Sequence, residues 1–73
     1  MAMARGHIKN TNRERQFGFL RDSEGVERFF HASAVARGYS FDDLKAGQAV
    51  EFEPLDHAKG PRAGEVRGAT PVH

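Results

Sequence analysis

Phe17, Phe19, Phe29 and His31 stand close together in the chain, with Lys9 ahead of them and Arg15 beside them. Flat rings next to flexible cations suit one chemistry well. Bases of a single strand stack on aromatic faces for roughly 1–3 kcal/mol each, while Lys and Arg follow the phosphates. For that use the rings must share one exposed face. Side chains alternate along a strand, so Phe17 and Phe19 point one way while Gly18 and Leu20 point the other. In the same way Glu27, Phe29 and His31 share a face opposite Val26, Arg28 and Phe30.

The elements that carry these residues are strands. Residues 15–21, the polar turn Asp22-Ser23-Glu24-Gly25 and residues 26–31 read as a β-hairpin. Residues 6–12 form a candidate strand before it. Residues 48–53 alternate with Val50 and Phe52 on one side, and Pro54 is expected to end that strand. Residues 32–47 carry Gly38, Ser40 and Gly47 around Phe41 and Leu44, so they read as a long connection with one helical turn near Ser33 or Phe41. A last strand is expected over residues 62–67. Five short strands with glycine-rich joints predict an all-β fold, a small five-stranded antiparallel barrel, because closure removes exposed edges. OB-like and SH3-like barrels both fit.

Leu20, Val26 and Phe30 together with Ile8, Val50, Phe52 and Val66 supply the interior such a barrel needs. Phe17, Phe19 and Phe29 are then surplus and outside, an apolar patch of the kind that marks a binding surface. The inverted assignment buries those three rings instead. Arg28 bears on the choice, since it falls on the face taken as interior and must reach the barrel rim with its guanidinium in water.

Composition narrows the rest. The chain has 73 residues, 8 Gly, 3 Pro, six Phe, one Tyr and neither Cys nor Trp, which fits one domain over residues 1–73 with its core at 5–68 and a short tail at 69–73. Without cysteine there is no disulfide scaffold, thiolate zinc site or cysteine nucleophile. The net charge of +1 is too small to argue for a nucleic-acid partner by itself. Its distribution says more, because Arg5, Lys9, Arg13, Arg15 and Arg21 cluster at one end and Lys59, Arg62 and Arg67 at the other. No apolar stretch reads as a secretion signal or membrane span, so a cytoplasmic protein without membrane contact is expected. His7, His31, His57 and His73 have no metal-ligand spacing, Ser33 is expected to cap a turn, and no nucleophile, base and stabiliser assemble as an enzyme would require. No metal or other cofactor is implied.

The hairpin residues resemble the cold-shock domain family, and the likeness runs from about Gly6 to Val66. Arg15-Gln16-Phe17-Gly18-Phe19-Leu20 is similar to the family's first ribonucleoprotein motif, Lys-Gly-Phe-Gly-Phe-Ile. Phe29-Phe30-His31 with Ser33-Ala34-Val35 is similar to the second. The runs from Leu44 to Phe52 and from Lys59 to Ala63 match in order as well. The resemblance implies a five-stranded OB-type barrel that binds single-stranded RNA or DNA, often as an RNA chaperone or a regulator of transcription or translation. It implies Phe17, Phe19 and Phe29 as stacking platforms, His31 as a stacking or hydrogen-bonding group, and Lys9 and Arg15 as phosphate contacts. Phe41, with Tyr39 as competitor, corresponds to a loop aromatic that lies over a base; Lys59 and Arg62 fall in the last loop, and Glu27 takes the place of an acidic residue that accepts from a base edge.

This chain also departs from the pattern. Asn10 and Thr11 stand where the family has Trp-Phe, Ala32 removes a third aromatic, Gln16 replaces Gly, and Arg28 replaces an apolar residue. Losing up to three stacking groups at about 1–3 kcal/mol each implies weaker or narrower binding, unless Asn10 and Asn12 supply hydrogen bonds instead. The expected state is a monomer, with a weak homodimer as an alternative. The competing reading is a small protein-interaction barrel that uses the same Phe patch for a peptide or a second copy. Salt separates the two, because phosphate contacts weaken as salt rises and an apolar interface does not.

Overall fold

Asp22 turns the chain back on itself. Its Oδ1 accepts from the N–H groups of Glu24 and Val26, both at 2.9 Å, and its carbonyl accepts from Gly25 at 3.0 Å. Side-chain acceptance two residues on is how Asp fixes a turn, and Gly25 supplies the positive φ of +85°. The hairpin so formed joins β2 (Phe17–Asp22) to β3 (Glu27–His31). The computed structural model describes residues 3–69, and β1 (Ala4–Asn12), β4 (Ala49–His57) and β5 (Gly60–Gly68) complete it. Ala69 is the only residue of the expected tail inside that range; residues 70–73 lie outside the described residues.

The strands close into a barrel in the order β1-β2-β3-β5-β4. Four of the contacts are antiparallel, as expected, and the fifth is parallel, through Phe29 opposite Arg62. A closed ring with an odd number of strands cannot alternate direction all the way round. One parallel contact is the least that closure allows.

Ile8, Leu20, Phe30, Phe41, Leu44, Val50, Phe52, Ala63 and Val66 form the buried core. This confirms the inward face of the hairpin with one correction: Val26 lies in the turn, half-buried, and is not part of that cluster. Gly18 makes room for the core beneath it. A Cβ there would stand 2.9 Å from the Phe30 ring and 2.8 Å from the Asn10 carbonyl oxygen.

The sequence predicts one helical turn near Ser33 or Phe41, and the structure has a 3-10 turn at each place, over Ala32–Ala34 and Phe41–Asp43. The first is capped by His31 rather than Ser33: the Nδ1 of His31 accepts from the Ser33 N–H at 3.1 Å. Ser40 caps the second, its hydroxyl accepting from the Asp42 N–H at 3.3 Å. Pro54 does not end β4, which runs on to His57. Pairing of β4 with β1 stops at Phe52, so the later residues have one open edge, where a missing N–H removes no ladder bond.

Arg28 resolves the question of faces. It points inward at the barrel rim, its Nε donating to Asp22 Oδ2 at 3.2 Å and its Nη1 to the carbonyls of Leu55 and Arg62, each at 3.2 Å. The guanidinium carbon also stands 5.9 Å from the Phe52 ring centre. A charged residue on the core face is thus satisfied by three acceptors instead of by water.

Candidate nucleic-acid interface

Residues directly opposite across a ladder point to the same face, so the register places the site. One row runs Asn10, Phe19, Phe29, Arg62 across β1, β2, β3 and β5; a second runs Asn12, Phe17, His31. Phe17, Phe19 and Phe29 are half-buried because they cover one another: the three ring centres stand 5.8 to 6.0 Å apart. Phe17 and Phe29 are tilted by 30°, and Phe19 meets both edge-on. The Arg62 guanidinium lies 4.8 Å from the Phe29 ring centre, a cation–π distance.

Asn10 reaches this face through a bulge. Ile8 pairs with Leu20 and Asn10 with Phe19, which leaves Lys9 unpaired between them. Simple alternation from the buried Ile8 would turn Asn10 inward; the extra residue turns it out, beside Phe19.

Charges border the rings. The Lys9 ammonium bonds the Glu27 carboxylate, and Arg21, opposite Glu27, lies 3.7 Å from the same oxygen. The hydrogen bond and charge of Lys9, with a smaller contribution from Arg21, hold the Glu27 carboxyl below its ordinary value of 4.5. Asp22 shows the same direction by a different route. Burial works to raise its carboxyl, but hydrogen bonds from Val26, Arg28 and Glu24 outweigh that and lower it from 3.8.

A model of the 'Cold-shock' DNA-binding domain matches residues 4–69. The chain belongs to the cold-shock domain family. Cold shock-like protein CspC of Bacillus cereus is 39% identical over 61 residues, which is 84% of this chain and 92% of that protein. Cold shock-like protein CspLB of Listeria monocytogenes serovar 1/2a is 41% identical over 64 residues, covering 88% and 96%. A cold shock-like protein of Thermotoga maritima is 40% identical over 63 residues, covering 86% and 94%. The all-β barrel is therefore a cold-shock OB-fold, and the family is one of nucleic-acid-binding domains rather than of enzymes.

Within this cold-shock barrel, Phe17, Phe19, Phe29, His31, Asn10 and Arg62 come together on one face, and Lys9 and Glu27 meet as a pair. Arg15 sits exposed in the turn before Phe17, its N–H bonded to Asn12 Oδ1 at 3.0 Å. Lys59 is exposed in the β4–β5 turn, whereas Arg62 belongs to β5 and not to the last loop.

Phe41 is a correction. It is 7% exposed and packs 6.0 Å from Phe30, because the Ser40 cap turns it into the core; Tyr39 is the exposed aromatic, at 48%. Tyr39 stands near Gly68 at the far end of β5 from Arg62, away from the platform. Arg21, a member of the N-terminal basic cluster, joins the platform face, where period-two spacing from Phe19 places it.

Proposed function

We propose that this cold-shock domain binds single-stranded nucleic acid by stacking bases on Phe17, Phe19 and Phe29. Arg15, Lys59 and Arg62 lie along the backbone, with Lys9 joining them when it leaves Glu27. The observation that carries this reading is three mutually packed rings on the outer face of a barrel whose core is complete without them. Such a patch on a small domain is a binding surface, and the cations beside it suit phosphates.

His31 adds a donor. With Nδ1 accepting from Ser33, the neutral ring carries its proton on Nε2, where it can meet a base. A base that reaches Phe29 displaces the Arg62 guanidinium, which is then free for the strand. Asn10, Thr11 and Ala32 leave fewer rings than the family pattern has, so the footprint is short and the affinity modest. A role as an RNA chaperone or a regulator of transcription or translation fits such binding, as does a cytoplasmic monomer acting through this one domain. Among the described residues no helix is long and apolar enough to cross a membrane.

Anisotropy of a labelled pyrimidine-rich hexamer and a matched hairpin, titrated at two salt concentrations, tests the proposal. Expected is single-strand binding that weakens with salt and is lost in Phe17→Ala. Binding indifferent to salt, or no binding at high micromolar protein, would move the Phe patch to a protein partner.

A further inference from the structure

The barrel closes through its weakest seam. Between β3 and β5 there is one ladder pair, Phe29 with Arg62, and then the isolated bridge of Val35 with Val66. Phe30 to Ala34 must span on one side what Ala63 to Glu65 span on the other. The longer side loops out as the Ala32–Ala34 turn, and the shorter carries the bulge at Glu65, whose φ is +49°. The mismatch opens a cleft.

That cleft has a volume of about 190 Å³. Phe30, Ala34, Ala63 and Leu55 give it apolar walls, while His31, Ser33 and Arg62 stand among them as the polar groups. At ~30 Å³ per water it holds the equivalent of roughly six waters, a single flat ring, and falls short of the ~300–1,000 Å³ of a drug-sized site. Phosphate does not suit it, because apolar walls leave most of an anion's oxygens without donors. A flat ring with a polar edge does: Leu55, Ala34 and Phe29 offer it apolar contact, and His31, Ser33 and Arg62 are the lining groups that can bond its edge.

We propose that this seam cleft is a subsite for one pyrimidine base of the bound strand, turned out of the stack. The inference rests on the stacking reading above, since Phe29, His31 and Arg62 belong to both the platform and the cleft. A strand crossing Phe29 passes the cleft mouth and needs no second approach. Leu55, 42% exposed and outside the platform, is the wall that belongs to the cleft alone.

Amide shifts in a 15N-labelled protein distinguish the two ideas. Hexauridylate is titrated first, followed by hexamers in which one nucleotide at a time is replaced by an abasic ribose. The expected result is movement of the Ala34 and Gly64 amides along with Phe17 and Phe29, and one abasic position that weakens binding roughly tenfold, about 1.4 kcal/mol. In Leu55→Trp, which fills the cleft, that position should lose its special effect while Phe17 still shifts. A thermal melt of the variant checks that it folds, and Leu55→Phe repeats the test if it does not. Shifts at the platform with Ala34 and Gly64 still would overturn the cleft and leave the stacking reading standing. No shift anywhere would remove both, and shifts at Ala34 and Gly64 produced by a peptide but not by hexauridylate would give the cleft to a protein side chain.

Discussion

Phe29 and Phe30 are consecutive residues of β3 with opposite surroundings. Phe30 is 1% exposed, set against Phe41 and in the space that Gly18 leaves. Phe29 is half-buried among Phe17, Phe19 and the Arg62 guanidinium. Alternation decides which ring faces in. What the other ring does depends on what is left outside to cover it, and among the described residues two other rings and the Arg62 guanidinium do so. The same residue type therefore stabilises the fold at one position and presents a surface at the next.

Truncation should separate them most sharply. Phe30→Ala is expected to cost about 3–5 kcal/mol, enough to unfold much of a domain whose total stability is at the low end of ~5–15 kcal/mol. Phe29→Ala should cost no more than about 1.5 kcal/mol of stability, since it loses ring pairing but no core, while hexamer binding weakens by about 1–3 kcal/mol. Urea unfolding followed by circular dichroism reads the first quantity and anisotropy the second. Equal destabilisation by the two would make the outward face a second core.

Arg28, paired with Asp22 on the inward side, sharpens the comparison. Arg28→Ala leaves the Leu55 and Arg62 carbonyls and the Asp22 carboxylate short of a donor, at an expected cost of about 2–4 kcal/mol. Part of this is pH-dependent. Asp22 is lowered from 3.8 in the fold, so the stability it contributes is fully present above that value and is lost as pH falls through the lower folded value. The gap between wild type and Arg28→Ala should narrow in unfolding curves below pH 3.8. A gap that stays constant there would mean that Arg28 acts through the carbonyls alone.

The outward and inward faces of β2 and β3 were legible in the sequence because period two and an Asp-led turn fix both phase and register. Legibility failed where one residue is inserted. Tyr39 and Phe41 straddle an extra position in a loop without periodicity, and only the Ser40 cap decides which of them is buried. The bulge at Lys9 likewise reverses the parity of β1, so the row that sets Asn10 beside Phe19 cannot be read from alternation. Pro54 misled because the usual rule assumes a strand paired on both sides. The seam between β3 and β5 depends on the unequal lengths of two segments far apart in sequence, which no local pattern carries.

Gln16 is a smaller case in which the site and the fold pull apart. Its φ of +59° is left-handed, a region that costs an L-residue roughly 1–2 kcal/mol, and its carbonyl accepts from the Ala32 N–H at 2.8 Å where the capped turn begins. Gln16→Gly relieves the strain but adds about 0.5–1 kcal/mol of backbone entropy to be lost on folding. A net gain of about 0.5–1 kcal/mol in urea unfolding is expected, with hexamer affinity unchanged. Weaker binding in that variant would show that the amide side chain itself meets the strand.

Glu27 separates two uses of one carboxylate at the edge of the platform. If it accepts from a base edge, removing its charge should weaken binding. If its main partners are Lys9 and Arg21, as the ion pairs here indicate, removal frees two cations beside Phe29. Glu27→Gln at neutral pH is then expected to tighten hexamer binding and to steepen its salt dependence by about 0.7 in the logarithmic slope for each phosphate newly contacted. Because Lys9 holds the carboxyl below 4.5, wild type keeps the pair closed at neutral pH and opens it only as pH falls through that lowered value. Acidification should therefore carry the wild-type affinity towards that of Glu27→Gln, as far as the fold survives the protonation of Asp22. Lys9→Met completes the cycle: it leaves Glu27 beside the strand with only the more distant Arg21, at 3.7 Å, to offset it, so binding should weaken in Lys9→Met and recover in the double variant with Glu27→Gln. Failure to recover would return Glu27 to the base edge.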